Sequence, residues 1–263
     1  MTRISVLMGI YNCASTLVEA LDSLYAQTYQ DFKIILCEDG SSDDTYAVAE
    51  KYAQSHDNII LLRNESNMGL NYTLNRCLEH ADTEFIARMD GDDISLPERF
   101  EREINFLDAH PEYALVSCSM VHFDENGDYI TDKGIGEIKK VDFIHGSPIN
   151  HAPCMIKTIA LKTVGGYTVD DKLLRVEDYH LWFKLFAAGY KLYMLNEPLY
   201  KMRDDKNAYK RRTFKNRLNE AYVRHIGYKM IHLPWYVQVF ALRPILVHLI
   251  PDFVYKWYHQ NNN

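Results

Sequence analysis

Four short apolar runs, separated by amphipathic stretches, fill the first 112 residues, and this alternation narrows the fold more than any single motif. The run from Ile4 to Ile10 is almost continuously apolar, as a strand buried on both faces of a parallel sheet requires. Ser15 is expected to cap a helix over 15–27, with Leu17, Ala20, Leu21 and Leu24 on one face. A second strand is predicted over 32–37 and a helix over 43–56, with Asp43 and Asp44 in a first turn that favours negative charge. A strand over 59–62, a helix over 70–80 and a strand over 84–89 follow, and Pro97 opens a helix over 97–110. This spacing is that of crossover connections. The predicted class is α/β, with a mostly parallel sheet flanked by helices.

The fourth run delivers the chain to Asp90, Gly91, Asp92 and Asp93, three carboxylates within four positions. Like charges this close repel unless a cation sits among them. Mg²⁺ or Mn²⁺ is the usual remedy, taking one or two carboxylates and completing its shell with water and phosphate oxygens. The bland alternative is an Asp/Gly-rich surface turn. Ligands of parallel sheets bind beyond the carboxyl ends of the strands, and Tyr11, Asp39 and Asp90 each stand just past one. They are therefore expected to line one crevice.

Beyond residue 112 the pattern turns mixed. Strands over 115–123 and from 129 onward flank a hairpin turn at Asp124, Glu125, Asn126 and Gly127. A helix is predicted over 177–188, ended by Gly189, then strands near 191–195 and 199–202. The 263 residues suit one large domain with an appendage. The expected boundaries are a catalytic body over 1–205, divided at 112/113 into a nucleotide half and an acceptor half, and a helical tail over 206–263. Net charge is −7, yet the residues from 206 onward carry +8, leaving −15 on the body. A basic tail on an acidic body points to an anionic surface or ligand. No nucleic-acid partner is expected. The five cysteines are odd in number, widely spaced and without a CxxC, so buried reduced thiols in a cytoplasmic protein are expected. The N-terminus shows no secretory-signal pattern.

The motifs resemble those of family 2 glycosyltransferases of the GT-A fold, in particular bacterial enzymes that build capsule, O-antigen or exopolysaccharide. The resemblance rests on the opening strand through Tyr11 and Asn12, and on Glu38-Asp39-Gly40-Ser41-Ser42-Asp43-Asp44. It rests equally on Asn67-Met68-Gly69-Leu70 with Asp90-Gly91-Asp92-Asp93, and on Glu177-Asp178-Tyr179-His180-Leu181-Trp182. It covers about residues 4 to 190. Gly9 departs from the family's usual proline and is expected to loosen the turn after the first strand.

This resemblance implies nucleotide-binding roles for Met8, Tyr11, Asp39, Asn67 and Asp90, with Asp39 accepting from a uracil N–H and Tyr11 packing near the base. It implies a divalent cation (Mn²⁺ or Mg²⁺) on Asp92 and Asp90, and Asp178 as general base in an inverting transfer. Trp182, Glu177 and His151 are implied in the acceptor or donor-sugar pocket, although packing for Trp182 and a satisfied structural role for His151 remain open. Arg203, Arg211 and Arg212 are candidates for a diphosphate contact; Arg88 faces either the acids or a phosphate. The implied partners are a UDP-sugar and a lipid-linked saccharide.

The tail over 233–258 mixes apolar runs with Gln238, Arg243, His248 and Asp252, too punctuated for a spanning helix. Its aromatic residues and the basic helix over 210–229 suit amphipathic helices lying on the anionic inner face of the plasma membrane. Packing on the body, or a homodimer through the same surface, is the alternative. Two other functions stay in view. A sugar-phosphate nucleotidylyltransferase needs a Gly-rich basic loop where Tyr11 to Ser15 stand, and a non-catalytic sugar-nucleotide-binding subunit needs neither the acid pair nor Asp178.

Overall fold

The computed structural model describes residues 2–204 and 213–248. Strands β1 (Ile4–Ile10), β2 (Phe32–Glu38), β3 (Ile59–Arg63) and β4 (Phe85–Arg88) lie parallel in the order β3-β2-β1-β4. Flanked on both sides, β1 buries every residue except Gly9, which explains its lack of a polar face. Val6 and Met8 point into one core and Leu7 into the other, as strand alternation dictates. Helices α1 (Leu17–Tyr25), α2 (Thr45–Ala53) and α3 (Leu70–Glu79) supply the crossovers, and α4 (Arg99–Ala109) leads out of this half.

The second half extends the same sheet. Strands β5 (Ile94–Ser95), β6 (Tyr113–Asp124), β7 (Gly127–Thr131), β8 (Gly136–Glu137), β9 (Met155–Lys157) and β10 (Lys191–Arg203) bring it to ten strands among the described residues. The short β9 runs antiparallel to both β4 and β6 and so stitches the two halves together. Strand β10 runs parallel to β6, and β6 and β7 form the hairpin expected around Gly127. Helices α5 (Thr158–Thr163), α6 (Glu177–Ala187) and α7 (Phe214–Met230) cover the face opposite α1 and α4, and α8 (Arg243–His248) closes the described chain. All five cysteines are free and buried.

Several local expectations need correction. The first helix begins at Leu17 behind Thr16, and Ser15 stays exposed outside it. Thr16 is held instead through its hydroxyl, which donates to Cys13 O and, at 3.0 Å, to Gly91 O. Asp43 precedes α2 rather than lying in its first turn. Its carboxylate accepts from Thr45 and from Ala14 N, tying the loop after β2 to the loop after β1. The two strands predicted near 191–195 and 199–202 are one strand, irregular between Leu195 and Tyr200, where Pro198 supplies no N–H. Gly9 does not loosen a turn. A Cβ there would lie 3.0 Å from Leu70 Cδ1 and 3.1 Å from Thr73 Cγ2, so the bare backbone lets α3 pack closely on β1.

The basic helix is α7, and part of its charge turns inward. Arg224 is buried and donates to the carbonyls of Ile144 and His145 at 3.0 Å and to Glu220 at 2.8 Å. Val223, Tyr228 and Ile231 join the core beneath α6, and Gly227 lies against the Phe183 ring. A methyl group at 227 would overlap that ring, which is itself fully buried. Gly227→Ala is therefore expected to destabilise the fold by about 1–3 kcal/mol despite its better helix propensity, read as a lower urea midpoint; an unchanged midpoint contradicts this packing.

Candidate active site

The loops beyond β1, β2 and β3 enclose a cleft of about 390 Å³ lined by Tyr11, Asp39, Asn67, Gly69 and Asn71 on one wall and Leu174, Arg175, Glu177 and Asn216 on the other. Asp39 organises it. One carboxylate oxygen accepts from Met68 N at 2.9 Å and Asn64 Nδ2 at 2.6 Å, and the second accepts from Gly69 N at 2.9 Å. The two backbone N–H groups belong to the turn that starts α3, where a negative charge is favoured. Asp39 thus fixes the Asn67 loop, while the second oxygen keeps lone-pair capacity for a donor from the cleft. Tyr11 stands exposed on the facing loop. Met8, expected to touch the nucleotide, is fully buried in the core below, because strand alternation turns it away from the rim.

Past β4 the acids separate into three environments. Arg88 is buried and grips both carboxylate oxygens of Asp90. Burial works against its charge, but Asp90 outweighs that and holds the guanidinium protonated. Asp92 is exposed, and its pKa is raised by partial desolvation and by the Asp90 charge. Asp93 is buried and accepts from Arg203 N at 2.8 Å; desolvation, then the Asp90 and Asp92 charges, push its pKa up to about 8. Asp93 therefore anchors the end of β10 to the acid loop. The Arg203 side chain donates to Asp92 O at 2.8 Å and pairs with Glu19, so its charge is already engaged. Arg211 and Arg212 lie outside the described residues.

At the start of α6, Glu177 and Asp178 are half-buried side by side. Burial, then the Glu177 charge, raises the Asp178 pKa to about 6, while Arg88 pulls it down. A carboxylate poised there can accept a proton near neutral pH. Two expectations for this wall change. Trp182 is 0% exposed and packed in the core, so its indole is not placed to stack on a sugar. His151 accepts or donates one hydrogen bond with Tyr167 Oη at 2.8 Å and meets Trp182 edge-on; burial and the Arg88 charge push its pKa well down, leaving a neutral imidazole in a structural role.

Sequence reasoning missed Asn64, Arg175 and Asn216. Asn64 is buried behind Asp39, and Asn216 arrives from α7, 34 residues past the end of the last motif at Trp182. Arg175 left one signal, its place two residues before Glu177, the first acid of α6.

The fold and this cleft define a glycosyltransferase of the GT-A architecture. Staphylococcus aureus TarS (residues 1–349, in complex with UDP-GlcNAc) superposes with a TM-score of 0.73 over 92% of this chain and 72% of that one, at 18% identity. The Glycosyl transferase family 2 model matches residues 5–162, and the chain belongs to that family. Relatives include the putative glycosyltransferase EpsE of Bacillus subtilis, 36% identical over 98% of this chain and 93% of EpsE. Another is the Escherichia coli UDP-Gal:alpha-D-GlcNAc-diphosphoundecaprenol beta-1,3-galactosyltransferase, 30% identical over 97% of this chain and 95% of its own length.

The different settings of the acids give unequal stability effects. Asp90→Asn strands the buried Arg88 charge and is expected to cost about 3 kcal/mol, whereas Asp92→Asn at an exposed position is expected to stay within about 0.5 kcal/mol. Urea unfolding of the two variants distinguishes them, and equal effects would contradict the Arg88–Asp90 pairing.

Proposed function

We propose that the protein is an inverting, metal-dependent hexosyltransferase that moves a hexose or N-acetylhexosamine from a UDP-sugar to a lipid-linked saccharide in bacterial surface polysaccharide synthesis. The observation that carries this reading is one cleft walled on one side by Tyr11, Asp39 and Asn67 and on the other by Glu177 at the start of α6, the next residue being Asp178, whose pKa lies near 6. The UDP-GlcNAc complex of TarS and the diphosphoundecaprenol acceptor named for the E. coli relative support the donor and acceptor classes.

Asp178 takes the proton of the acceptor hydroxyl as that oxygen attacks the anomeric carbon. The anomeric C–O bond breaks on the opposite face, and its electron pair leaves with the diphosphate, which inverts the centre. Among the described residues no three His, Cys, Asp or Glu side chains form a metal cluster. Asp92, exposed and held beside Asp90, fits a Mg²⁺ or Mn²⁺ that takes few protein carboxylates and shares phosphate oxygens. A cation bound there supplies charge neutralisation for the departing diphosphate. Arg88 keeps Asp90 oriented throughout.

The described part of the tail suits a lipid surface. Val237 and Ala241 bury against the body, while Trp235 (85% exposed), Tyr236, Val239, Leu242 and Leu246 project outward beside Arg243. No described helix is long and apolar enough to cross a membrane. We place this surface on the anionic cytoplasmic leaflet, where indole and tyrosine rings settle at the headgroups.

Two experiments test the reading. The base must be ionised to work, so kcat/KM is expected to rise with pH through an apparent pKa near 6. Asp178→Asn is expected to abolish transfer while UDP binding stays within about twofold; a fully active variant sinks the role. Wild-type protein is expected to sediment with phosphatidylglycerol vesicles, and the triple change Trp235→Ser, Val239→Ser, Leu246→Ser to stay in the supernatant. If the triple change instead dissolves a homodimer and leaves vesicle binding intact, the surface is a subunit contact.

A further inference from the structure

We propose that Arg175 is the donor-binding residue that grips the diphosphate of the nucleotide sugar. This rests on the UDP-sugar reading and assigns the phosphate contact to a residue outside the family motifs.

Three observations converge on it. Arg175 is the one cationic side chain among the described residues lining the cleft, whose other charged groups, Asp39 and Glu177, are acids. A pyrophosphate entering such a cleft meets repulsion unless a cation is aimed at it. The neighbouring guanidinium groups are spent, Arg88 on both oxygens of Asp90 and Arg203 on Glu19 and Asp92 O. Arg175 is exposed and forms no salt bridge within 4 Å among the described residues, although its charge reaches the nearby Glu177 carboxylate.

The backbone adds the third observation. Arg175 has φ +70°, in the left-handed region that β-carbon-bearing residues other than Asn and Asp rarely adopt. It sits where the chain leaves the turn Asp171–Leu173 and enters α6 at Glu177. Glycine is the residue such a turn favours. The chain keeps a long cationic side chain there at a conformational cost, two residues before the acids that open α6. Strain of this kind persists where the side chain serves the site. The planar guanidinium forks onto two phosphate oxygens, which also orients the leaving group relative to Asp178.

Isothermal titration of UDP and of uridine into the full chain, in Mn²⁺ buffer without acceptor, tests this. Arg175→Ala and Arg175→Gly are each expected to weaken UDP binding about ten- to hundredfold and to leave uridine within about twofold. Arg175→Lys is expected to fall between them and wild type. Thermal melting separates side chain from backbone. Arg175→Gly is expected to melt about 2–4 °C above Arg175→Ala while binding UDP no better. Unchanged UDP affinity in all three variants overturns the assignment, as does a uridine loss equal to the UDP loss. A raised KM for the lipid-linked acceptor with UDP affinity intact overturns it in favour of the acceptor's own diphosphate. Failure of wild-type protein to bind any nucleoside diphosphate sinks the donor reading itself.

Discussion

A single guanidinium, buried at the carboxyl end of β4, holds the site's electrostatics together. Arg88 clamps Asp90, and its own backbone carbonyl accepts from Arg99 at 2.7 Å; Arg99 in turn meets Glu103 and the Tyr200 ring. Its field reaches Asp178, Glu177 and His151 on the other side of the rim. Removing a charge from water is costly, and full engagement on both carboxylate oxygens is what makes this burial tolerable. The arrangement lets three acids share one short loop without three unpaired negative charges meeting there: Asp90 is paired with Arg88, Asp93 is shifted towards its protonated form, and Asp92 is the most exposed of the three.

Asp39 plays the matching part beyond β2. Its carboxylate closes the loop that begins α3 through hydrogen bonds internal to the protein, so the wall carrying Asn67 is shaped by the chain itself. Preorganised donors and acceptors of this kind spend little ordering entropy at the moment of binding. Asp43 and Thr16 extend the same logic, lashing the loops after β1, β2 and β4 to one another.

Much of this was legible in the sequence. The β1–α1–β2–α2–β3–α3–β4 order follows from runs whose length and periodicity suit only buried strands and one-faced helices, and the resemblance carried over to the family. What escaped has identifiable causes. Strand β9 is three residues long and follows Pro153, leaving no period to detect. Met8 and Trp182 sit inside motifs that invite a ligand role, but the parity of a strand and the phase of a helix point both into the core. Helix α1 starts two residues later than Ser15 suggests, and Thr16 at its boundary spends its hydroxyl on the Cys13 and Gly91 carbonyls, the second distant in sequence, instead of on a helix N–H. Arg224 reads as surface charge until Ile144 and His145 are brought beneath it.

The three-residue seam β9 has a consequence for how such a scaffold diversifies. Hydrogen-bonded to β4 on one side and β6 on the other, it denies the molecule a hinge between the half that presents Asp39 and the half that presents Asp178. Their separation is then set by sheet geometry. New acceptors must be accommodated by exchanging the loops and turns hung on that frame, while its span stays constant like the jaws of a fixed-gap gauge.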